Sequence, residues 1–218
     1  MNKEWSMLNK TLQMQLKKPE TYKNGLNTLF TLRDLLMNEI NSFKKELKRD
    51  DFNAMPYMNA DGYHSKSIAY SIWHIFRIED IVAHTLINGD EQVFFSGNYY
   101  ERTASPIITT GNELVKEEIS DFSAKLDIEE LYSYIYEVKK STENMLKSLK
   151  YEDMKCSVLA ERKEQLIAMK VVSDDENAAW LVDYWCGKDI RGLIQMPFSR
   201  HWIMHIEASL RIRDKLYK

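Results

Sequence analysis

Met196-Pro197-Phe198-Ser199-Arg200-His201-Trp202-Ile203-Met204-His205 reads as the opening of a helix whose inward face carries two imidazoles. Proline is tolerated in the first helical turn, where its missing N–H goes unused. His201 and His205 stand four apart, so their rings lie one turn above each other. At roughly 100° per residue, His201, Met204, His205, Ala208, Ile212 and Leu216 form one stripe about 120° wide, and both histidines point where the helix buries apolar side chains. Ile203, Ile206 and Leu210 make a second apolar strip on nearly the opposite side. A helix apolar on two sides must be covered on both, by inserted helices or by another subunit, and a two-fold homodimer is the expected cover.

A second segment, Ser67-Ile68-Ala69-Tyr70-Ser71-Ile72-Trp73-His74-Ile75-Phe76-Arg77-Ile78-Glu79-Asp80, has its strongest apolar stripe at Ile68, Ile72, Ile75, Val82 and Leu86. His74 lies beside that stripe. His84 shares a face with Lys66, Arg77 and Asp80, which reads as solvated. His64 and His84 each lie roughly 15 Å along the axis from His74 if the helix runs through, too far to share a metal whose nitrogen ligands sit about 2.0 to 2.1 Å away. His74, His201 and His205 therefore remain as candidate metal ligands. Three neutral imidazoles with an open fourth position suit catalytic zinc or a similar divalent ion, whereas structural zinc sites are closed and cysteine-rich. The competing reading is three core histidines hydrogen-bonded to their neighbours.

Elsewhere helical periodicity dominates. A short amphipathic segment near residues 4 to 17 precedes a long one from about 22 to 48, where Leu26, Leu29, Phe30, Leu32, Leu36, Ile40, Phe43 and Leu47 recur at helical spacing. The histidine-bearing second helix spans about 65 to 87 and stops at Asn88-Gly89. A long connection from 89 to 126 carries the aromatic run Phe94 to Tyr100 and a short helix near Glu113 to Asp121. It reads as a crossover that borders the route to the site. Asp127-Ile128-Glu129-Glu130 caps a third helix running to about Leu149. Residues 150 to 198 form a second excursion, helical near 157 to 171 and 175 to 186.

The 218 residues fit one domain, spanning 1 to 218, with a real core. A net charge of −3, with basic and acidic residues interleaved as in Lys44-Lys45-Glu46-Leu47-Lys48-Arg49-Asp50-Asp51, argues against nucleic acid as a partner. No apolar run approaches the ~18 residues of a membrane span and no signal pattern opens the chain, so a cytoplasmic protein is expected. Cys156 and Cys186 read as reduced thiols, with Cys186 a buried inert cysteine in preference to a reactive one.

One histidine on the second long helix, His-x-x-x-His on the last and a long crossover between helices two and three resemble the DinB/YfiT-like superfamily. Ser67 to Asp80 and Met196 to His205 carry the likeness. The resemblance implies an all-α, four-helix bundle with an up-down-down-up arrangement, and a divalent metal, zinc or nickel, held by His74, His201 and His205. The family includes transferases and an isomerase that use low-molecular-weight thiols. Many members follow the last histidine with an Arg-Gly-Gln-like stretch, whereas this chain has Ile206-Glu207-Ala208.

The expected function is that of a divalent-metal-dependent enzyme acting on a small molecule, either a thiol-dependent S-transferase or a hydrolase. The metal would lower the pKa of a bound thiol or water. The alternative is a non-catalytic metal-binding interaction or stress protein with no open coordination position. A His-Glu-x-x-His protease is excluded because Trp202 stands where its glutamate is needed. No Gly-x-Ser-x-Gly elbow supports a serine nucleophile. Glu79, close to the buried stripe, reads as an ion-pair partner for an arginine of a neighbouring helix in preference to a catalytic carboxylate. Arg77 and Arg200 read as exposed charges in preference to anion binders.

Overall fold

A computed structural model describes residues 2–218 as an all-α chain. Among the described residues the only β feature is an isolated bridge between Ser157 and Asp189. Helix α1 (Lys3–Gln15) lies along α2 (Tyr22–Glu46), whose buried Leu29, Leu32, Leu36, Ile40 and Phe43 recur at helical spacing. Each such side chain contributes about 1.5–3 kcal/mol on leaving water. Gly25 permits the close approach of the two helices, since a Cβ there would stand 3.1 Å from the Leu16 amide nitrogen.

Helix α3 (Ile68–Asp80) starts at Ser67, whose hydroxyl accepts from the Tyr70 amide, and continues as a π-helical segment, Ile81–Asn88. Left-handed Gly89 then ends it, as the Asn-Gly signal predicts. Three short helices follow: α4 (Val93–Ser96), α5 (Tyr99–Arg102) and α6 (Glu117–Lys125). The last starts and ends four residues after the stretch predicted from sequence, Glu113 to Asp121. Asp127 caps α7 (Ile128–Ser148) through the Glu130 amide, as its capping pattern requires.

The second excursion contains α8 (Ala160–Ala168), α9 (Glu176–Cys186) and α10 (Ile190–Gln195). A π-helical turn, Met196–Arg200, then leads into α11 (His201–Leu216).

Specific contacts orient the long helices. Tyr22 Oη donates to the Leu149 carbonyl at 3.0 Å and Tyr132 Oη to that of Ile40 at 2.6 Å, so α2 and α7 are antiparallel. Tyr134 meets Asp80 and Ser141 meets His84, so α7 runs the same way as α3. Arg33 stacks over Trp202 while Glu46 pairs with Arg213, placing α11 parallel to α2.

Two expectations change here. Ile203 and Ile206 are buried within the single chain and Leu210 is half-buried, so this strip does not itself require a second subunit. The aromatic run from Phe94 packs against Tyr134 and beneath Arg77, away from the histidines. Cys156 and Cys186 are free thiols, and burial pushes the Cys186 thiol up, which disfavours its nucleophilic form. No helix among the described residues is long and apolar enough to cross a membrane.

Candidate metal centre

Helices α3 and α11 bring His74, His201 and His205 together. Their ring centroids lie 5.1 Å (His74 to His201), 4.9 Å (His74 to His205) and 4.6 Å (His201 to His205) apart. One nitrogen from each falls within 4.8 Å of the others, and all three residues are buried. A shared ion would hold each nitrogen at about 2.0–2.1 Å. The helical spacing of His201 and His205 supplies two of the ligands, and the antiparallel crossing of α3 supplies the third.

The protonation state suits a cation. Burial holds the His74 imidazolium pKa down at about 4, and holds His201 and His205 well below the usual histidine range. All three are neutral near pH 7. His74 Nδ1 lies 2.6 Å from the Thr110 carbonyl oxygen, which can only accept, so Nδ1 carries the proton and Nε2 keeps its lone pair. This is the outer hydrogen bond that orients a metal-binding imidazole.

His201 and His205 differ from His74, because each has a buried Nδ1 with no hydrogen-bond partner. Unsatisfied buried polar atoms are costly, and a metal ion engaging these rings offers one use for their unmatched nitrogens. The residues present fit a divalent cation: three nitrogen donors, no competing proton, and buried polar capacity left over. The three histidines can hold a metal ion.

The Thr110 carbonyl is itself held in place. Tyr70, His74 and Arg77, spaced along one face of α3, bind successive parts of one loop. Tyr70 Oη donates to the Gly111 carbonyl at 2.8 Å, and Arg77 donates to that of Ile108 through Nε at 3.0 Å and Nη2 at 2.8 Å. Gly111 adopts φ +77°, and a Cβ there would press to 3.1 Å against Trp73 and Tyr70. Arg77 is thus fully buried, contrary to the exposed position expected from sequence. A buried guanidinium is sustainable when carbonyl and carboxylate oxygens surround it, and Asp80 lies 3.6 Å away. Arg200 is exposed, as expected.

Glu79 is also committed to structure. Arg33 of α2 binds both its oxygens at 2.8 Å, and the Trp202 indole N–H donates to Oε2 at 2.9 Å. Arg33 also reaches the Phe198 carbonyl in the π-helical turn at 3.2 Å. The arginine pair expected from sequence is therefore present, and it joins α2, α3 and α11 immediately behind His201.

His84 departs from the solvated position expected for it. It is buried, with Nδ1 2.6 Å from Asp90 and Nε2 3.0 Å from Ser141 Oγ. This Ser141-His84-Asp90 chain has the order of a hydrolytic triad, but Ser141 sits inside α7, where the neighbouring backbone N–H groups are spent on helical bonds. None remains to stabilise an oxyanion. His64 packs edge-on against Tyr57 and stays outside the cluster.

Two cavities meet the histidines. One, of about 210 Å³, is bounded by all three together with Ile78, Trp180, Tyr184, Trp185 and Met196. The other, of about 190 Å³, is lined by Gly62, Lys66 and Tyr70 beside His74 and His205. Tyr63 and Asn112 border both cavities, and Tyr63 packs edge-on against His205 at 4.8 Å. The larger open depression near Lys44 and Arg49 contains none of this chemistry.

No protein-family model matches the chain, and neither does any curated protein. The site therefore has to be read from its own geometry. Sequence reasoning missed Lys66, Asn112, Tyr63 and the aromatic wall of α9, because each comes from a turn or an excursion whose docking has no local periodic signal. Tyr70 was missed as well, although its place one helical turn before His74, on the same face, was a signal that could have found it.

Proposed function

We propose that the protein is a divalent-metal-dependent enzyme of DinB/YfiT-like type, an up-down-down-up four-helix bundle in which His74, His201 and His205 hold zinc or nickel. It acts in the cytoplasm on a small molecule, as a thiol-dependent S-transferase or as a hydrolase. The observation that carries this reading is the opening of three neutral, buried imidazoles onto cavities lined by other side chains. A closed structural site would leave no such room.

A divalent ion at this position supplies Lewis acidity, which favours the deprotonated form of a water or thiol near neutral pH. The protein's own groups do the rest. Thr110 sets the tautomer of His74, Arg77 and Tyr70 fix the loop carrying Thr110, and Arg33, Glu79 and Trp202 fix the register of α11. The aromatic wall of α9 bounds one of the cavities that meet the histidines.

Protein purified without an affinity tag is expected to contain about one divalent ion per chain by elemental analysis. His74→Ala, His201→Ala and His205→Ala should each lose most of it. Thiol transfer to electrophilic small molecules and hydrolysis of esters and amides should then be compared in the parent protein and His205→Ala. Equal activity in the two would end the metal mechanism. A metal enclosed entirely by protein ligands would instead establish the non-catalytic binding protein.

A further inference from the structure

The two cavities beside the histidines differ in chemistry. The walls of the α9 side carry no formal charge at neutral pH: Trp180, Tyr184 and Trp185 form an aromatic surface, with Ile78 and Met196 completing it. Trp180 is half-exposed, at 50%, while Trp185 is only 1% exposed, so the wall runs from the surface to the interior. Lys188 stands 4.1 Å over the Tyr184 ring but does not line the cavity, so the lining itself rewards an apolar, uncharged ring.

The adjoining cavity contains a cation. Lys66 lies 5.4 Å from the centre of the Tyr70 ring, and among the described residues it has no ion pair and no hydrogen bond. It is partly buried, and the other side chains of that cavity are Tyr63, Tyr70, Asn112, His74 and His205. No carboxylate lines it. A half-buried ammonium facing a cavity without an anion is a place for an anionic ligand.

We propose that the centre takes two reactants in two adjoining cavities: a small anionic one, its carboxylate or comparable group held by Lys66, and an uncharged aromatic or apolar one seated on the Trp180–Tyr184 wall. Tyr63 and Asn112 border both cavities. This division rests on the metal-enzyme reading of the histidines, but the side chains that create it are not metal ligands. The Asn112 side-chain oxygen is buried without a partner and borders both chambers, so it can accept a hydrogen bond from either reactant.

The test uses the full chain loaded with cobalt(II), whose absorption reports thiol binding directly. Mercaptoacetate and 2-mercaptoethanol are titrated as an anionic and a neutral thiol of similar size. Mercaptoacetate is expected to bind about tenfold more tightly, a preference lost in Lys66→Met and retained in Lys66→Arg, with cobalt content unchanged in both. Benzyl alcohol, followed by ligand-observed magnetic resonance, should bind the same protein and weaken several-fold in Trp180→Ala.

A mercaptoacetate preference that survives Lys66→Met, or no thiol response at all, overturns the anionic side. Benzyl alcohol that fails to bind, or binds Trp180→Ala equally well, overturns the aromatic side. Absence of histidine-dependent cobalt would instead defeat the metal reading on which both depend, so the two failures are distinct.

Discussion

Behind the histidines lies a second buried polar group, and the two obey different rules. In the Arg33, Glu79 and Trp202 unit, the carboxylate receives two guanidinium hydrogen bonds and one from the indole, and the guanidinium adds the Phe198 carbonyl and Glu143. The histidine cluster is equally buried yet leaves Nδ1 of His201 and His205 unmatched. One unit is internally complete and holds three helices in register. The other retains unsatisfied donor and acceptor capacity, as a binding site does before its ligand arrives. Burial is therefore common to the two units, and what distinguishes them is the completeness of their hydrogen bonding.

The strongest way to break this contrast is to remove one partner of the complete unit. Glu79→Ala strands the Arg33 charge and is expected to destabilise the protein by about 3–5 kcal/mol, read by urea unfolding. Replacing Arg33 and Glu79 together by apolar residues of similar size should recover most of that loss. If Glu79→Ala unfolds no more easily than the parent, the unit is not the structural lock described here.

Acid should act on the histidine cluster. His74 ionises at about 4 when folded, against 6.5 in the unfolded chain, so the unfolded state binds more protons between those values. Stability of the metal-free protein should fall as pH drops from about 6.5 toward 4, by about 3 kcal/mol from His74 alone. His201 and His205 shift in the same direction and extend the loss to lower pH. A flat unfolding midpoint across this window would show that the rings are hydrated or already protonated.

A smaller effect of opposite sign sharpens the comparison. His205→Leu should stabilise the metal-free protein by about 0.5–2 kcal/mol while lowering its metal content, because an apolar side chain removes an unmatched nitrogen. Destabilisation in thermal unfolding would mean that the ring is already satisfied. His84→Ala is expected to cost about 1 kcal/mol through its lost bonds to Asp90 and Ser141 and to leave metal stoichiometry unchanged. Lost metal in that variant would extend the site beyond the three histidines.

The all-α class, the long helices and the selection of His74, His201 and His205 were legible because they depend on periodicity and spacing along single helices. His201 and His205 share a face through local geometry alone, and the apolar stripe shows that this face points inward. His84 and Arg77 were misplaced because every residue of α3 is buried, so this helix has no solvated face to identify. The π-helical turns after Asp80 also take the chain out of the regular α-helical phase used to place His84.

The sequence by itself determined the helices, the inward histidine pair and a third histidine able to meet it. Tertiary structure alone decided that Thr110 orients His74, that Arg33 claims Glu79, and that Lys66 and Trp180 line different cavities beside the histidines. The physical reason is range. Helical periodicity is written by residues three or four apart, whereas the charge, tautomer and access of the site come from segments that meet only when the connections dock.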